Sequence, residues 1–292
     1  MHHEIVFGYQ FYNYEVHQRA MSVSGGKNMP IIKTSNHDIF YVDEGNGFPI
    51  FLIHGLAGDH KAWLNQIEYF KNNYRVIAVD NPGSGKSSSV SQPCTTKDLA
   101  NTMLEVLESL SIDKAHIVGR SLGGFIGQQM VNIKPEFVKS LVISASAAKV
   151  DPIGTQILKN MKEILEWRDN WTDWARHSNH LFFSPEFFNN NPDIIKTVEA
   201  IVGDENRSKE SYLNLNDTAL AHDFRDSLGT ITCPTLIMAG LLDPICSIQC
   251  AYEMKDNIPG SELVVFEKAS HFLLVEEYEK AIKTLDDWFN KN

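Results

Sequence analysis

Short apolar runs alternate with stretches of helical periodicity over most of the chain. Runs typical of strands lie at 39–43, 49–53, 74–79, 115–118, 138–144, 234–238 and 262–266. Apolar residues spaced three and four apart predict helices near 63–70 and at 95–110, 122–131, 248–255 and 278–289. This alternation is typical of a parallel sheet that carries helices on both faces.

The alternation stops between about 148 and 226, where the pattern is helical and rich in aromatic residues. Trp167, Trp171 and Trp174 recur at helical spacing, which predicts that they share one face of a helix. Such rings either seal the segment onto the sheet or line a pocket beneath it, and a helical insertion over a sheet allows both. Trp167, Trp171, Phe182 and Phe272 are the candidate aromatic residues of a substrate pocket.

The two ends of this segment divide the chain into predicted units. Residues 29–147 and 227–292 are predicted to form one core, and 148–226 a helical cap inserted after the sixth strand. Residues 1–28 are predicted to form an N-terminal extension, and the composition of the Ser-Gly-Gly stretch at its end predicts a flexible joint. The extension is predicted to be either a disordered tail or an arm that packs on the body or on a second subunit.

Charge and composition exclude several classes of partner. The net charge of −11 argues against nucleic acid and against anionic membranes, which both repel an acidic protein. No run approaches the ~18 apolar residues of a membrane span, and the N-terminus does not resemble a signal peptide. The four cysteines lack zinc spacing and favour free thiols. We expect a soluble cytoplasmic monomer or homodimer that acts on a small molecule.

A serine stands in a sequence context that favours nucleophilic chemistry. The strand ending at Val118 leads into Gly119-Arg-Ser-Leu-Gly123 and then a helix, which is the G-x-S-x-G pattern of a strand–turn–helix nucleophile. The two glycines leave room for a tight, strained turn. The helix that follows directs backbone amides and its positive dipole end at the same point. We predict that Ser121 is the nucleophile.

A serine hydroxyl needs a base, and the base needs an acid that orients it. Asp243 follows the strand that ends at Met238, and His271 follows the strand that ends at Phe266. Both therefore lie in loops at the carboxyl ends of predicted parallel strands. The order Ser–Asp–His along the chain matches the arrangement expected for this turn. We predict a catalytic triad of Ser121, His271 and Asp243.

An acyl-transfer site also needs donors for the oxyanion. The amide of Leu122, directly after the nucleophile, is one predicted donor. The amide of Leu56, in the His54-Gly-Leu-Ala-Gly58 loop, is the other, and His54 is predicted to be a structural hydrogen-bonding residue. Arg120 either binds a carboxylate on the substrate or holds an acidic loop through a salt bridge, and the sequence favours the structural role.

Taken together, these motifs resemble the α/β-hydrolase superfamily over about residues 30–292. The resemblance rests on HGLAG at 54–58, DNPGSGKS at 80–87, GRSLGG at 119–124, GLLDP at 240–244 and SHF at 270–272. It implies an α/β fold with a mostly parallel sheet of about eight strands, a helical cap, and no metal or organic cofactor. The DNPGSGKS turn also resembles the end of a phosphate-binding loop, but Asp80 stands where that motif requires glycine.

The resemblance narrows the chemistry. Relatives that cleave epoxides or haloalkanes carry aspartate where this chain has Ser121. Relatives that hydrolyse C–C bonds of ring-fission products usually have a polar residue after the acid and tryptophan after the histidine, where Pro244 and Phe272 stand here. We therefore expect a serine hydrolase of small esters, lactones or thioesters. C–C hydrolysis, perhydrolase-like side activity and a non-catalytic binding role remain alternatives.

Overall fold

Eight strands form a single sheet in the order β1-β2-β4-β3-β5-β6-β7-β8 within residues 30–204 and 206–292, which the computed structural model describes. The predicted extension over 1–28 lies outside these residues. β1 and β2 pair antiparallel, β2 and β4 pair antiparallel, and all remaining pairs are parallel. The strands are β1 Ile31–Lys33, β2 Asp38–Glu44, β3 Phe48–Ile53, β4 Tyr74–Val79, β5 Ala115–Arg120, β6 Val138–Ser144, β7 Thr235–Gly240 and β8 Glu262–Phe266.

Helices connect the parallel strands and cover both faces of the sheet. The helices are α1 Leu64–Phe70, α2 Thr96–Ser109, α3 Leu122–Ile133, α4 Pro152–Arg168, α5 Trp171–Phe182, α6 Pro185–Asn190, α7 Pro192–Val202, α8 Lys209–Ala221, α9 Ile248–Asn257, α10 Leu273–Glu276 and α11 Tyr278–Lys291. None of these described helices combines the length and the apolar character that crossing a membrane requires. The predicted α/β architecture, a mostly parallel sheet of eight strands with flanking helices, is confirmed.

Alternating side chains on the central strands divide the core into two layers. On β3, Phe51 and Ile53 belong to one buried cluster, and Ile50 and Leu52 belong to another on the opposite face. Strand residues alternate in this way because successive side chains point to opposite faces. Both faces are buried, which explains why these strands read as continuous apolar runs in the sequence.

Five helices, α4 to α8, lie between β6 and β7 and contribute to the same buried cluster as one face of the sheet. α4 ends at Arg168 because Asp169 adopts a left-handed conformation, with φ 50° and ψ 38°. The Asn170 side chain then accepts a hydrogen bond from the Asp173 amide and begins α5. Trp167 and Trp171 therefore lie on different helices, and the prediction that the tryptophans share one helix face is wrong.

The sequence pattern did not predict strand β1. Its three residues pair with Asp38, Ile39 and Phe40 of β2, and two of the three side chains are exposed. So short an edge strand has neither a buried face nor enough residues to show alternation. The other seven strands coincide with the predicted apolar runs to within one or two residues.

His222, at the end of α8, links the stability of the fold to pH. Its ring stacks on Phe125 at 4.4 Å and is hydrogen-bonded to Thr96 Oγ1 at 3.0 Å. Burial lowers the pKa of His222 to about 4. An unfolded histidine titrates near 6.5, so the unfolded chain binds more protons between those pH values, and stability falls as the pH is lowered through them.

The parent protein should lose stability when the pH is lowered from 7.5 to 5. We predict that His222→Gln loses about 1–2 kcal/mol less over the same range, because it lacks the buried histidine. The measurement is the free energy of unfolding in urea at both pH values. His177→Gln removes an exposed histidine and serves as the control, with the parent pH dependence expected. An equal loss of stability in the parent and in His222→Gln would contradict the assignment.

Candidate active site

Ser121 occupies a strained turn between β5 and α3. Its backbone has φ 53° and ψ −119°, a conformation that non-glycine residues rarely adopt. The turn fits only because its neighbours lack side chains. A Cβ on Gly119 would lie 2.2 Å from the Gly123 carbonyl oxygen, and a Cβ on Gly123 would lie 2.1 Å from the Ile53 carbonyl oxygen.

Hydrogen bonds from the adjacent strand fix this turn. The Ser121 amide donates to the Ser144 carbonyl at 2.9 Å, and the Ser146 hydroxyl donates to the Ser121 carbonyl at 2.8 Å. The backbone on both sides of Ser121 is thus tied to the end of β6 and the loop after it. These hydrogen bonds hold the strained backbone in its conformation, so the Ser121 side chain keeps a defined position.

His271 and Asp243 form a buried pair in the loops after β8 and β7. Nδ1 of His271 lies 2.8 Å from Oδ2 of Asp243, and each residue is 4% exposed. The other carboxylate oxygen accepts the amides of Ile245 and Cys246 at 2.8 and 3.0 Å. With its proton on Nδ1 the imidazole donates to this carboxylate, and Nε2 is then able to accept a proton.

Ser121 and His271 line the same cavity at the carboxyl edge of the sheet. No hydrogen bond joins the Ser121 hydroxyl to the imidazole within the described residues. Such catalytic hydrogen bonds often tighten only in the complex with substrate. The structure therefore brings the three predicted triad residues to one edge of the sheet, with Asp243 behind His271.

The His271 loop is fastened to the end of α5. The Phe272 amide donates to the Phe182 carbonyl at 2.9 Å, and the two rings stack at 4.8 Å. The Glu276 carboxylate accepts the amides of Ser184 and Ser270, each at 2.8 Å. Burial raises the pKa of Glu276. These bonds couple the position of the imidazole to that of the helices above it.

The loop after β3 lies directly against the nucleophile. A Cβ on Gly55 would be 3.0 Å from the Ser121 Cβ, so a side chain there would crowd the nucleophile. The Leu56 amide has no hydrogen-bond acceptor within the described residues, and Leu122 begins α3, where first-turn amides lack an intrahelical acceptor. Both predicted oxyanion donors are therefore unpaired and adjoin Ser121.

His54 has the structural place that the sequence predicted. Its Nε2 accepts the Asn81 amide at 2.9 Å and its Nδ1 donates to the Gly55 carbonyl at 2.7 Å. Burial lowers the pKa of His54, which keeps the ring neutral and able to accept at Nε2. The residue thus shapes the loop without reaching the reacting atoms.

Arg207, which the sequence analysis missed, joins the helical segment to this loop. Its guanidinium donates to the Ala57 carbonyl at 2.9 Å and to the Asp59 carboxylate at 3.4 Å. It also donates to the Ile201 carbonyl at 3.3 Å, at the end of α7. Arg207 therefore fixes the backbone immediately after Leu56. Nothing in the sequence around it signals this role, because Ala57 and Asp59 lie 150 and 148 residues away.

The cavity has a volume of about 180 Å³ and is lined mainly by apolar side chains. Of the predicted pocket residues, Arg120, Phe182 and Phe272 line it. Trp167 does not, because it lies on the outer side of α4 and is 79% exposed. Trp171 is buried but lines a smaller neighbouring cavity. The apolar lining residues that the sequence analysis did not assign to a pocket are Leu64, Leu158, Met161, Trp174, Val198, Ile201, Val202, Ile245 and Val275.

The DNPGSGKS turn is filled by its own carboxylate. Asp80 accepts the amides of His60 at 2.7 Å and Lys86 at 2.8 Å, and a Cβ on Gly85 would lie 2.1 Å from an Asp80 oxygen. The amides that would surround a phosphate are thus already bound. The turn is a structural element beside β4.

Asp243, Cys246 and His271 are the described side chains whose ligand atoms cluster closely enough for a metal ion, within 4.8 Å of one another. Burial raises the pKa of the Cys246 thiol well above its usual value. A metal needs the thiolate, which this environment disfavours. The carboxylate and imidazole are also bonded to each other, so the cluster suits proton transfer better than metal binding.

Comparisons with known proteins agree with this architecture. A family model for the alpha/beta hydrolase fold matches residues 49–278. The chain is 28% identical over 265 residues to 3-oxoadipate enol-lactonase 1 of Acinetobacter baylyi, covering 90% of each chain. It is 27% identical over 243 residues to a putative carbamate hydrolase, RutD, of Azorhizobium caulinodans, covering 83% of this chain and 91% of that protein. A solved esterase from Exiguobacterium antarcticum, EaEST, is 25% identical with a TM-score of 0.80, covering 89% of this chain and 99% of that one.

We predict that Gly123→Ala destabilises the protein by about 2–4 kcal/mol, because the new methyl group meets the Ile53 carbonyl oxygen. Gly229→Ala is the matched control, since a Cβ there has no neighbour within 4 Å. The measurement is the urea-unfolding free energy of each variant. Equal stabilities of the two variants would show that the turn tolerates a side chain.

Proposed function

The chain belongs to the α/β-hydrolase fold family, and we propose that it is a serine hydrolase of small carboxylic esters, lactones or thioesters. The observation that carries the proposal is the convergence of a strained serine turn and a buried His–Asp pair on one cavity. The similar proteins include an enol-lactonase and an esterase, which act on bonds of this kind. The small cavity favours a short substrate.

The proposed reaction uses the groups in series. Ser121 Oγ attacks the acyl carbon while Nε2 of His271 takes the hydroxyl proton. Asp243 holds the imidazole through Nδ1 and stabilises its cation. The amides of Leu56 and Leu122 bind the oxyanion, and one such donor is typically worth about 10²–10³ in rate. The imidazolium then protonates the leaving group, and a water activated by His271 cleaves the acyl-enzyme.

We propose that residues 148–226 act as a cap over a core formed by 29–147 and 227–292. The support is that Leu158, Met161, Trp174 and Phe182 of this segment form one wall of the cavity that contains Ser121. A cover of this kind excludes water and buries the substrate, which strengthens the electrostatic interactions at the reacting centre.

We predict that Ser121→Ala lowers kcat on short-chain 4-nitrophenyl esters at least about 10⁴-fold, because the nucleophile is lost. We predict a similar loss for Asp243→Asn, because the amide side chain favours the imidazole tautomer that cannot accept the serine proton. A fluorophosphonate probe should label the parent protein and leave Ser121→Ala unlabelled. Circular dichroism and thermal unfolding serve as controls for folding. Ester hydrolysis that persists in folded Ser121→Ala would contradict the mechanism.

The same experiment separates the alternatives. A labelled protein that cleaves only ring-fission products would be a C–C hydrolase. A folded protein that binds small acids or esters without labelling or turnover would be a binding module.

The Arg207→Gln variant tests whether Arg207 positions the loop that contains Leu56. We predict a fall in kcat of about 10–100-fold with a smaller change in KM, because the Ala57 carbonyl loses its donor and the Leu56 amide shifts. Arg176→Gln is the control, since Arg176 lies exposed on the same helical segment and pairs with Glu199. A change confined to KM would show that Arg207 shapes binding and leaves the oxyanion donors in place.

A further inference from the structure

Arg120, next to the nucleophile, is a buried cation whose hydrogen-bonding groups are unused. The residue is 8% exposed, lines the cavity, and its Nε has no hydrogen-bond partner. Within the described residues its guanidinium makes neither a hydrogen bond nor a salt bridge. The structural salt bridge that the sequence favoured is therefore not formed. Burying a charge without such partners is strongly unfavourable. A charged guanidinium at this buried position therefore needs a ligand or another contact to stabilise it.

Asp243 is close enough to attract Arg120 electrostatically, but its oxygens are already bound. One oxygen accepts the imidazole of His271, and the other accepts two backbone amides. Asp243 thus offers the guanidinium an electrostatic attraction but no hydrogen bond.

Two other cations, Lys61 and Arg207, line the cavity, and both lie near the carboxylate of Asp59. Lys61 lies 3.8 Å and Arg207 3.4 Å from Oδ2 of Asp59. These two cations share the Asp59 carboxylate, whereas Arg120 is the cation among the described lining residues that forms no salt bridge.

The ring of Phe272 partly supports Arg120 and orients it. The guanidinium carbon lies 4.4 Å from the ring centroid, which is a cation–π distance. A ring is not a conventional hydrogen-bond acceptor, so this contact leaves the N–H groups of the guanidinium available to a ligand. Although burial lowers the pKa of Arg120 to about 10, the group is charged at neutral pH.

We propose that Arg120 binds a carboxylate of the substrate, so that the cavity takes carboxylate-bearing esters or lactones. The planar fork of N–H groups matches a carboxylate in a bidentate geometry. The apolar walls suit the short carbon chain that joins this carboxylate to the scissile bond. The substrate class rests on the proposed serine hydrolase function, whereas anion binding by Arg120 does not.

The test compares two esters that differ in one charge, 4-nitrophenyl hydrogen adipate and 4-nitrophenyl methyl adipate. We expect the parent to prefer the anionic ester at least tenfold in kcat/KM, and Arg120→Gln to lower that preference at least tenfold. Arg120→Lys keeps the charge without the fork and should give an intermediate preference. Arg168→Gln removes an exposed arginine outside the cavity and should keep the parent preference.

Binding measured without turnover separates this proposal from the proposed function. Calorimetry on Ser121→Ala should detect monomethyl adipate, and Ser121→Ala/Arg120→Gln should bind it at least tenfold more weakly. Loss of turnover and of probe labelling in the parent, with Arg120-dependent binding intact, would overturn only the hydrolase function. An ester preference and a binding constant that do not depend on Arg120 would overturn the carboxylate site. If Arg120→Gln does not fold, Arg120→Lys decides, because an unchanged preference and affinity would then contradict a forked contact.

Discussion

The close approach of three backbone segments around Ser121 is the constraint on which the site depends. The turn after β5, the first turn of α3 and the loop after β3 pack with no room for a Cβ at Gly119 or Gly123 and little room for one at Gly55. Because they are so close, the unpaired amides of Leu56 and Leu122 lie beside a side chain that the strained turn presents. The parallel sheet makes this possible, since it brings the carboxyl ends of β3 and β5 to the same edge.

A second set of contacts ties the site to the helical segment above it. Arg207 bonds the loop that contains Leu56, and Glu276 bonds the loop that contains His271 to Ser184. The loop that contains Leu56 and the loop that contains His271 are therefore both hydrogen-bonded to the segment between β6 and β7. Movement of that segment would displace both loops together, which links access to the cavity with the geometry of the proposed reaction.

Local patterns predicted the parts of the site that each lie within one short segment. The glycines around Ser121, the loop after β3 and the positions of Asp243 and His271 after their strands can all be read from a few neighbouring residues. Contacts between distant segments could not be read in this way. Arg207 and Glu276 carry no local signal, and Trp167 was misplaced because one left-handed residue, Asp169, interrupts an otherwise continuous helical period. Trp174, by contrast, was within reach, since it lies one turn from Trp171 on α5.

The position proposed for Arg120 connects substrate recognition with the chemistry of the His–Asp pair. Arg120 precedes Ser121 in the chain, and its guanidinium lies over the ring of Phe272, which follows His271. A substrate carboxylate bound to Arg120 in the proposed way would therefore be held near both the serine and the histidine. Holding a substrate in a defined orientation toward the reacting groups raises the rate of its reaction. A neutral ester lacks this anchor, so the proposed contact would favour turnover of the anionic substrate as well as its binding.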